Sequence, residues 1–374
     1  MKTDNKDWYA IIMAGGSGER FWPISRRKRP KQLLKLLGKE SFLQQAVRRV
    51  SAIVEPSNIF VITNIEQARE VRKQLPRLPK SNIIAEPCGK DTCAAVTLGA
   101  ALVGCRSTSA TMAVLPADHI IIDEKTFSNV LNDSFKIASS ENFIVTIGIK
   151  PTEPHTGFGY IRVGDRLKLP DNMKNIKTVF HNAEQFVEKP NYETAVEYLN
   201  SGKYRWNAGM FIWSFSTILG GLKQYATEFY DVCQRWMRVA KNATILKKQI
   251  QNDYQNLKRI SIDYALMEKA QNVVVADGDF GWDDLGSWSA LIKHLPQDEN
   301  GNCVVGEAIY VDAKGNLVFD ARTKNKTLIA NVGLNDSILV LTDDAVLIAN
   351  KYQSQKVKEL VKKLGENSKF KKLL

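Results

Sequence analysis

Apolar residues along the chain fall into short runs that alternate with longer stretches of helical spacing. "YAIIMA" at 9–14 reads as a buried strand, and "SFLQQAVRRVSAIV" at 41–54 as a helix with Ser41 placed to cap it. The alternation continues through the strands "NIFVIT", "NIIAEP" and "TMAVLPADH". Between them lie the helices "IEQAREVRKQL" and "DTCAAVTLGAALVG", the second opened by Asp91 or Thr92. This order predicts right-handed crossovers and an α/β fold, its mostly parallel sheet covered on both faces. Ligands of such sheets sit outside the carboxyl ends of the strands, where the unusual residues of this sequence fall.

After about residue 143 the pattern mixes. "NFIVTIGI", "GFGYIRV", "AEQFVEKP" and "WNAGMFIWSF" read as strands, some of them antiparallel, and "NYETAVEYLNSG" as a helix ending at Gly202. Residues 215–270 read as largely helical. From about 302 helices give way to short strands and turns that fit a few coils of a solenoid. The boundary is expected in "LPQDENGN", giving a domain over 1–297 and a segment over 298–374 that ends in an amphipathic helix on Val357, Leu360, Val361 and Leu364.

Composition narrows the class. With 374 residues, 44% hydrophobic and 25% charged, the chain suits a large globular domain plus an appendage. "MKTDNKDWYA" has no apolar signal core, and "AAVTLGAALVG" is far short of a membrane span, so a cytoplasmic protein without a membrane anchor is expected. Five cysteines without paired metal spacing fit reduced thiols. A net charge of +12 favours an anionic partner, but no nucleic-acid motif accompanies it.

The charge is densest in "AIIMAGGSGERFWPISRRKRPKQLL", with six Arg or Lys between Arg20 and Lys31. A strand followed by "AGGSGER" can bring several backbone N–H groups against a phosphate chain. No Lys-Ser or Lys-Thr follows the glycines, which excludes a Walker A loop, and the run into Pro23 argues against a dinucleotide fingerprint. Arg20 and Lys31 are placed to neutralise a triphosphate, while Arg26–Arg29 fit a solvated face. Asp118 of "LPADH" lies just past a strand, where a carboxylate could hold magnesium or simply shape a turn. Asp283 and Asp284 of "GWDDLGSW" could supply a second metal carboxylate or cap the next helix. In "FVEKP", Glu188 and Lys189 on opposite sides of a strand end could meet sugar hydroxyls and a phosphate, or form an exposed ion pair. Asn207 could donate to and accept from a hydroxylated ligand. His119, Phe158, Tyr160 and Trp213 read as structural.

In their order of appearance, "GGSGERFWPISR…PKQ", "AEPCGKDTCAA", "LPADH", "TGFGYI", "FVEKP", "WNAGMF" and "GWDDLGSW" make the chain resemble the bacterial mannose-1-phosphate guanylyltransferases. The likeness spans residues 8–290 and continues into "VGLNDSILVLTDDAVLIAN". It implies a Rossmann-like nucleotidyltransferase domain with a mixed, mainly parallel sheet, followed by a short left-handed β-helix. It also implies the single-function form, without the isomerase domain that many relatives carry fused.

The implied reaction is GMP transfer from GTP to α-D-mannose 1-phosphate, giving GDP-mannose and pyrophosphate by in-line attack without a protein nucleophile. Gly15, Gly16, Ser17, Gly18, Glu86 and Thr92 would bind the nucleotide, with Arg20 and Lys31 on the phosphates. Asp118 and Asp284 would ligate Mg²⁺. Gly159, Glu188 and Asn207 would face the mannose, and Lys189 its phosphate. Glu86 could accept from guanine N1–H and the 2-amino group.

The sequence departs from the family at "GKDT", where relatives have "GRNT". It departs again at Asp283, where many have serine, and at Glu19, where a neutral residue is usual; Glu19 is expected to point away from the phosphates. Transfer to another sugar or base, and a catalytically inert nucleotide-sugar sensor, stand as the alternatives. The terminal strands could pack against another subunit, which leaves a homodimer open.

Overall fold

The computed structural model describes residues 7–169, 173, 175–324 and 327–374. Strands β1 (Trp8–Ala14), β2 (Ile59–Asn64), β3 (Ile83–Glu86) and β4 (Thr111–Pro116) form where the sequence places apolar, β-branched runs, and they pair in parallel. A short β5 (Ile120–Ile121) follows. Then come β6 (Ile144–Ile149), β7 (Gly159–Arg166), β8 (Phe180–Glu188), β9 (Tyr204–Ser214), β10 (Val273–Gly278) and the two-residue β11 (Trp282–Asp283). Among the described residues the main sheet has nine strands, in the order β3-β2-β1-β4-β9-β6-β10-β8-β7. It is mixed: β6–β10 is parallel, whereas β9 runs antiparallel to β4, β6 and β7, and β8 antiparallel to β7 and β10.

The helices follow the predicted periodicity, with physical trimming at their ends. Helix α1 (Phe42–Val50) begins in a capping box: Ser41 Oγ accepts from the Gln44 amide at 3.2 Å, and Gln44 Oε1 accepts from the Ser41 amide at 3.0 Å. It ends at Val50, short of the predicted 54. Then come α2 (Ala68–Gln74), α3 (Thr92–Arg106), α4 (Glu124–Ser140), α5 (Tyr192–Ser201), α6 (Phe215–Tyr225), α7 (Thr227–Val239) and α8 (Ala243–Asn256). Helix α5 stops at Gly202, which takes the left-handed conformation at φ 66°.

Helix α3 contains the apolar run too short for a bilayer. It is buried from Cys93 through Gly104, packed between β1 and the α6–α7 layer. Added Cβ atoms at Gly99 and Gly104 would overlap Ile11 and Phe215, so the glycines set how closely α3 approaches sheet and helix. Among the described residues no helix is long and apolar enough to cross a membrane.

The chain packs as two units. One comprises the chain up to Gly15 with Ala46–Asp283; the other joins Gly16–Gln45 to Asp284–Leu374. In the second, α9 (Trp288–Leu291) precedes β12 (Cys303–Val305), β13 (Ala308–Val311), β14 (Leu317–Asp320), β15 (Ile329–Val332), β16 (Ser337–Leu341) and β17 (Val346–Asn350). Parallel pairing of β12–β14–β16 and β13–β15 stacks these strands as successive coils. Buried asparagines bind one coil to the next. Asn302 Oδ1 accepts from both the backbone and side-chain nitrogens of Asn316 at 3.0 Å, and Asn316 Oδ1 accepts from the Ser337 amide at 2.9 Å. Removing either amide would strand buried partners, at about 1–3 kcal/mol each. Helix α10 (Val357–Glu366) follows the coils and packs on the Glu19–Phe21 turn.

Candidate functional site

In the first unit, the parallel strands end in the residues singled out from the sequence. Glu86 closes β3 and is buried. Its Oε1 accepts from the Tyr254 hydroxyl at 3.0 Å. Its Oε2 lies 3.2 Å from where a Cβ on Gly15 would stand. Burial pushes the Glu86 carboxyl up to about 7, partly offset by the Tyr254 hydrogen bond. Thr92 opens α3, its hydroxyl accepting from the Ile262 amide at 2.9 Å, while Asp91 caps the helix from a left-handed backbone at φ 68°. Lys90 donates to the Leu257 carbonyl at 2.8 Å, a structural tie between the β3–α3 loop and the end of α8.

Asp118 stands two residues beyond β4 and two before β5, partly exposed. β5 pairs with β11 so that Ile120 lies opposite Asp283. His119 is structural as expected: its Nδ1 accepts from the Trp282 indole at 3.1 Å. Trp282 also meets the edge of Phe158 at 5.2 Å, and Phe158 stacks on His155 at 3.9 Å, forming an aromatic wall between the β4 end and the start of β7.

Beside that wall, β7–β8 pairing places Gly159 opposite Glu188. A Cβ on Gly159 would stand 2.5 Å from Glu188 Oε2, so only glycine lets this carboxylate lie across the strand. Asn207 on β9 donates to Asp263 Oδ1 at 2.9 Å, and its Oδ1 accepts from Thr146 Oγ1 at 3.2 Å and the Gly209 amide at 3.1 Å. Burial, with Glu188 nearby, raises the Asp263 carboxyl to about 6. Glu188 and Lys189 are not splayed to opposite sides as the sequence suggested. Lys189 adopts φ 49°, which turns its side chain back onto Glu188, Nζ to Oε1 at 2.6 Å.

Gly159→Ala tests this arrangement. Because the colliding atom is the tip of a flexible side chain, the fold should survive while Glu188 is displaced. If Glu188 faces the mannose, as the resemblance implies, the KM for the sugar phosphate should rise about tenfold or more, with a smaller change in kcat and an unchanged melting temperature. Steady-state kinetics and calorimetry would check it.

The second unit contains the rest of the glycine loop. Gly18 sits at φ 59°, and a Cβ there would overlap the Lys31 backbone nitrogen and lie 2.6 Å from the Lys31 Cβ. Gln32 Nε2 donates to the Gly16 carbonyl at 3.0 Å. Both cations reach the aspartate loop: Lys31, buried, donates to the Asp284 carbonyl, and Arg20 Nη1 donates to the Gly286 carbonyl at 2.7 Å. A Cβ on Gly286 would meet Arg20 Nη1 at 3.1 Å and Asp284 Oδ1 at 3.4 Å, so guanidinium and carboxylate flank that glycine together. Trp288 Nε1 donates to the Trp22 carbonyl at 3.0 Å and fixes the same two segments.

Arg26 departs from the expected solvated face. It pairs with Asp344 at 2.8 Å and lies over the Trp22 ring. Ser17 and Glu19, with Trp22, Arg26, Lys358 and Lys362, line a cavity of 480 Å³ against α10.

Two residues of these clusters carry little signal in the sequence. Asp263 opens a π-helical turn, Asp263–Met267, a distortion frequent at functional sites, and the acid within apolar "SIDYALMEK" was its signal. Tyr254 carried no local signal beyond an aromatic at core spacing.

One unit built on a mixed α/β sheet with carboxylates at its strand ends, and another that holds a glycine loop, its cations and stacked parallel coils, are the parts of a sugar nucleotidyltransferase. Residues 9–301 match the family model described as Nucleotidyl transferase, and 306–364 the model described as MannoseP isomerase/GMP-like beta-helix domain. The chain belongs to the nucleotidyl transferase family, in its mannose-1-phosphate guanylyltransferase branch. It is 41% identical to a mannose-1-phosphate guanylyltransferase of Salmonella montevideo, over 95% of this chain and 73% of that protein. It is 38% identical to the Xanthan biosynthesis protein XanB of Xanthomonas campestris pv. campestris, over 96% and 73%. A solved structure described as mannose-1-phosphate geranyltransferase from Thermus thermophilus superposes with a TM-score of 0.83 at 32% identity, covering 96% of this chain and 99% of that one.

Nucleotidyltransferases of this family use a divalent metal ion. Among the described residues no group of three or more His, Cys, Asp or Glu could hold an ion alone. Asp118 and Asp284 are each partly exposed carboxylates, the oxygen chemistry that suits a hard divalent cation.

Proposed function

We propose that this protein transfers GMP from GTP to α-D-mannose 1-phosphate, releasing pyrophosphate and forming GDP-mannose. The observation that carries the reading is the 41% identity to a mannose-1-phosphate guanylyltransferase over 95% of the chain, with the glycine loop, its cations and the sugar-side cluster all present. Arg20 and Lys31 would offset the charge of the triphosphate, and Gly15–Gly18 would let backbone N–H groups approach it. Glu86 would accept from the guanine edge. Glu188 and Asn207, with Gly159 giving room, would hold the mannose, and Lys189 would leave Glu188 for the sugar phosphate.

Mg²⁺, ligated by Asp118 and Asp284, would supply charge neutralisation on the phosphates. A sugar-phosphate oxygen attacks the α-phosphorus in line, the bond to the β-phosphate oxygen breaks, and pyrophosphate leaves. No protein nucleophile is needed, so the residues contribute orientation and charge.

A coupled pyrophosphate-release assay across the four nucleoside triphosphates and several sugar 1-phosphates tests this. Release is expected with GTP only when mannose 1-phosphate is present, and only with a divalent metal. Activity with UTP and glucose 1-phosphate, and none with GTP and mannose 1-phosphate, would overturn it.

A further inference from the structure

We propose that Tyr254 is a positioning residue for base selection: its hydroxyl holds the Glu86 carboxylate toward the nucleobase and so sets the preference for a purine bearing a 2-amino group. This rests on the reading of Glu86 as the guanine acceptor.

The geometry carries the inference. Guanine offers two parallel donors, N1–H and the 2-amino group, and a carboxylate can meet both only if its plane is fixed. Glu86 is buried, and Tyr254 binds Oε1 at 3.0 Å while Oε2 faces the Gly15 end of β1. Each carboxylate oxygen has two acceptor positions, so Oε1 can hold Tyr254 and still receive a base donor. The phenol is itself immobile. Tyr254 is fully buried, its ring stacks on Trp236 at 5.6 Å, and Trp236 Nε1 donates to Asp253 Oδ2 at 2.8 Å. A tyrosine on α8, 168 residues along the chain from Glu86, thus fixes the orientation of a β3 side chain.

The same contact sets the charge state. Burial raises the Glu86 carboxyl to about 7, and the Tyr254 hydrogen bond opposes that rise. Among the described residues, the thiols of Cys88 and Cys93 also act on Tyr254. Burial pushes the Cys93 thiol up to about 12, leaving it neutral. The ionised, doubly accepting form of Glu86 is therefore present above about 7 and lost as pH falls through it. Without the hydroxyl, that loss begins at higher pH.

The test uses the whole enzyme with mannose 1-phosphate and Mg²⁺, comparing GTP with ITP, which lacks the 2-amino group, from acid to alkaline pH. Tyr254→Phe should raise the KM for GTP about tenfold at neutral pH with kcat nearly unchanged. The preference for GTP over ITP should shrink in proportion, and the acid-side rise in KM should move to higher pH. Incorporating 3-fluorotyrosine at 254, a stronger donor of nearly the same shape, should move that rise to lower pH and covers the case in which Tyr254→Phe fails to fold. If both Tyr254 proteins keep the wild-type KM profile while Glu86→Gln loses the preference, the role of Tyr254 is overturned and the base reading stands. If Glu86→Gln keeps the preference too, both fall.

Discussion

Asp284→Asn is expected to lower turnover by at least about a hundredfold, while Asp283→Asn stays within a few-fold of the parent. The two aspartates are neighbours in sequence but differ in setting. Asp283 belongs to β11, in register with Ile120. Asp284 begins the loop whose carbonyls receive Lys31 and Arg20, and its carboxylate flanks Gly286 beside the Arg20 guanidinium. An amide at 284 keeps the shape and the backbone acceptor but loses the charge a metal ion requires. Melting temperatures should therefore match, and the metal concentration needed for half-maximal rate should rise only for the 284 variant. Asp118→Asn should behave like Asp284→Asn. Equal loss from Asp283→Asn would reassign the ligand.

Gly18→Ala should be the more damaging of two outwardly similar changes in the glycine loop. At Gly18 the backbone is left-handed, and the new methyl would overlap the main-chain nitrogen of Lys31, which cannot rotate away. Positive φ costs an alanine about 1 kcal/mol, and displacing the Lys31 backbone adds to it. Lys31 is the cation that reaches the Asp284 carbonyl, so activity should fall by about two orders of magnitude as the melting temperature drops. At Gly16 the nearest atom to a new methyl is Gln32 Oε1 at 3.9 Å, so Gly16→Ala should leave stability within about 0.5 kcal/mol. Paired calorimetry and kinetics decide it; equal melting temperatures for the two variants would refute the steric argument.

The parallel half of the sheet was legible because each strand is a short β-branched run followed by helical spacing, from "YAIIMA" through "TMAVLP". Glycine, charge and chain order likewise pointed to Arg20, Lys31 and Glu188. The conformation of Lys189 was not legible, since nothing in "FVEKP" signals a left-handed lysine folded onto its neighbour. Tyr254 was hidden for another reason: its role is a contact across the fold, and its local pattern is that of any core aromatic. The coils were half visible. "GN" recurs at 301–302 and 315–316 with glycine at φ 73° and 65°, but the next coil uses Asn335 and Asp336, with Asp336 at φ 47°, and the repeat blurs.

Trp22 donates to the Leu373 carbonyl, and Arg20 to a carbonyl 266 residues further along the chain. On a ribosome, the glycine loop is therefore made long before the segments it packs against. Through most of synthesis the loop has only its local ties, such as Gln32 to the Gly16 carbonyl, and lacks those to Gly286 and Leu373. Competence to bind should appear abruptly, once the coils and α10 emerge, rather than accumulate as the sheet grows.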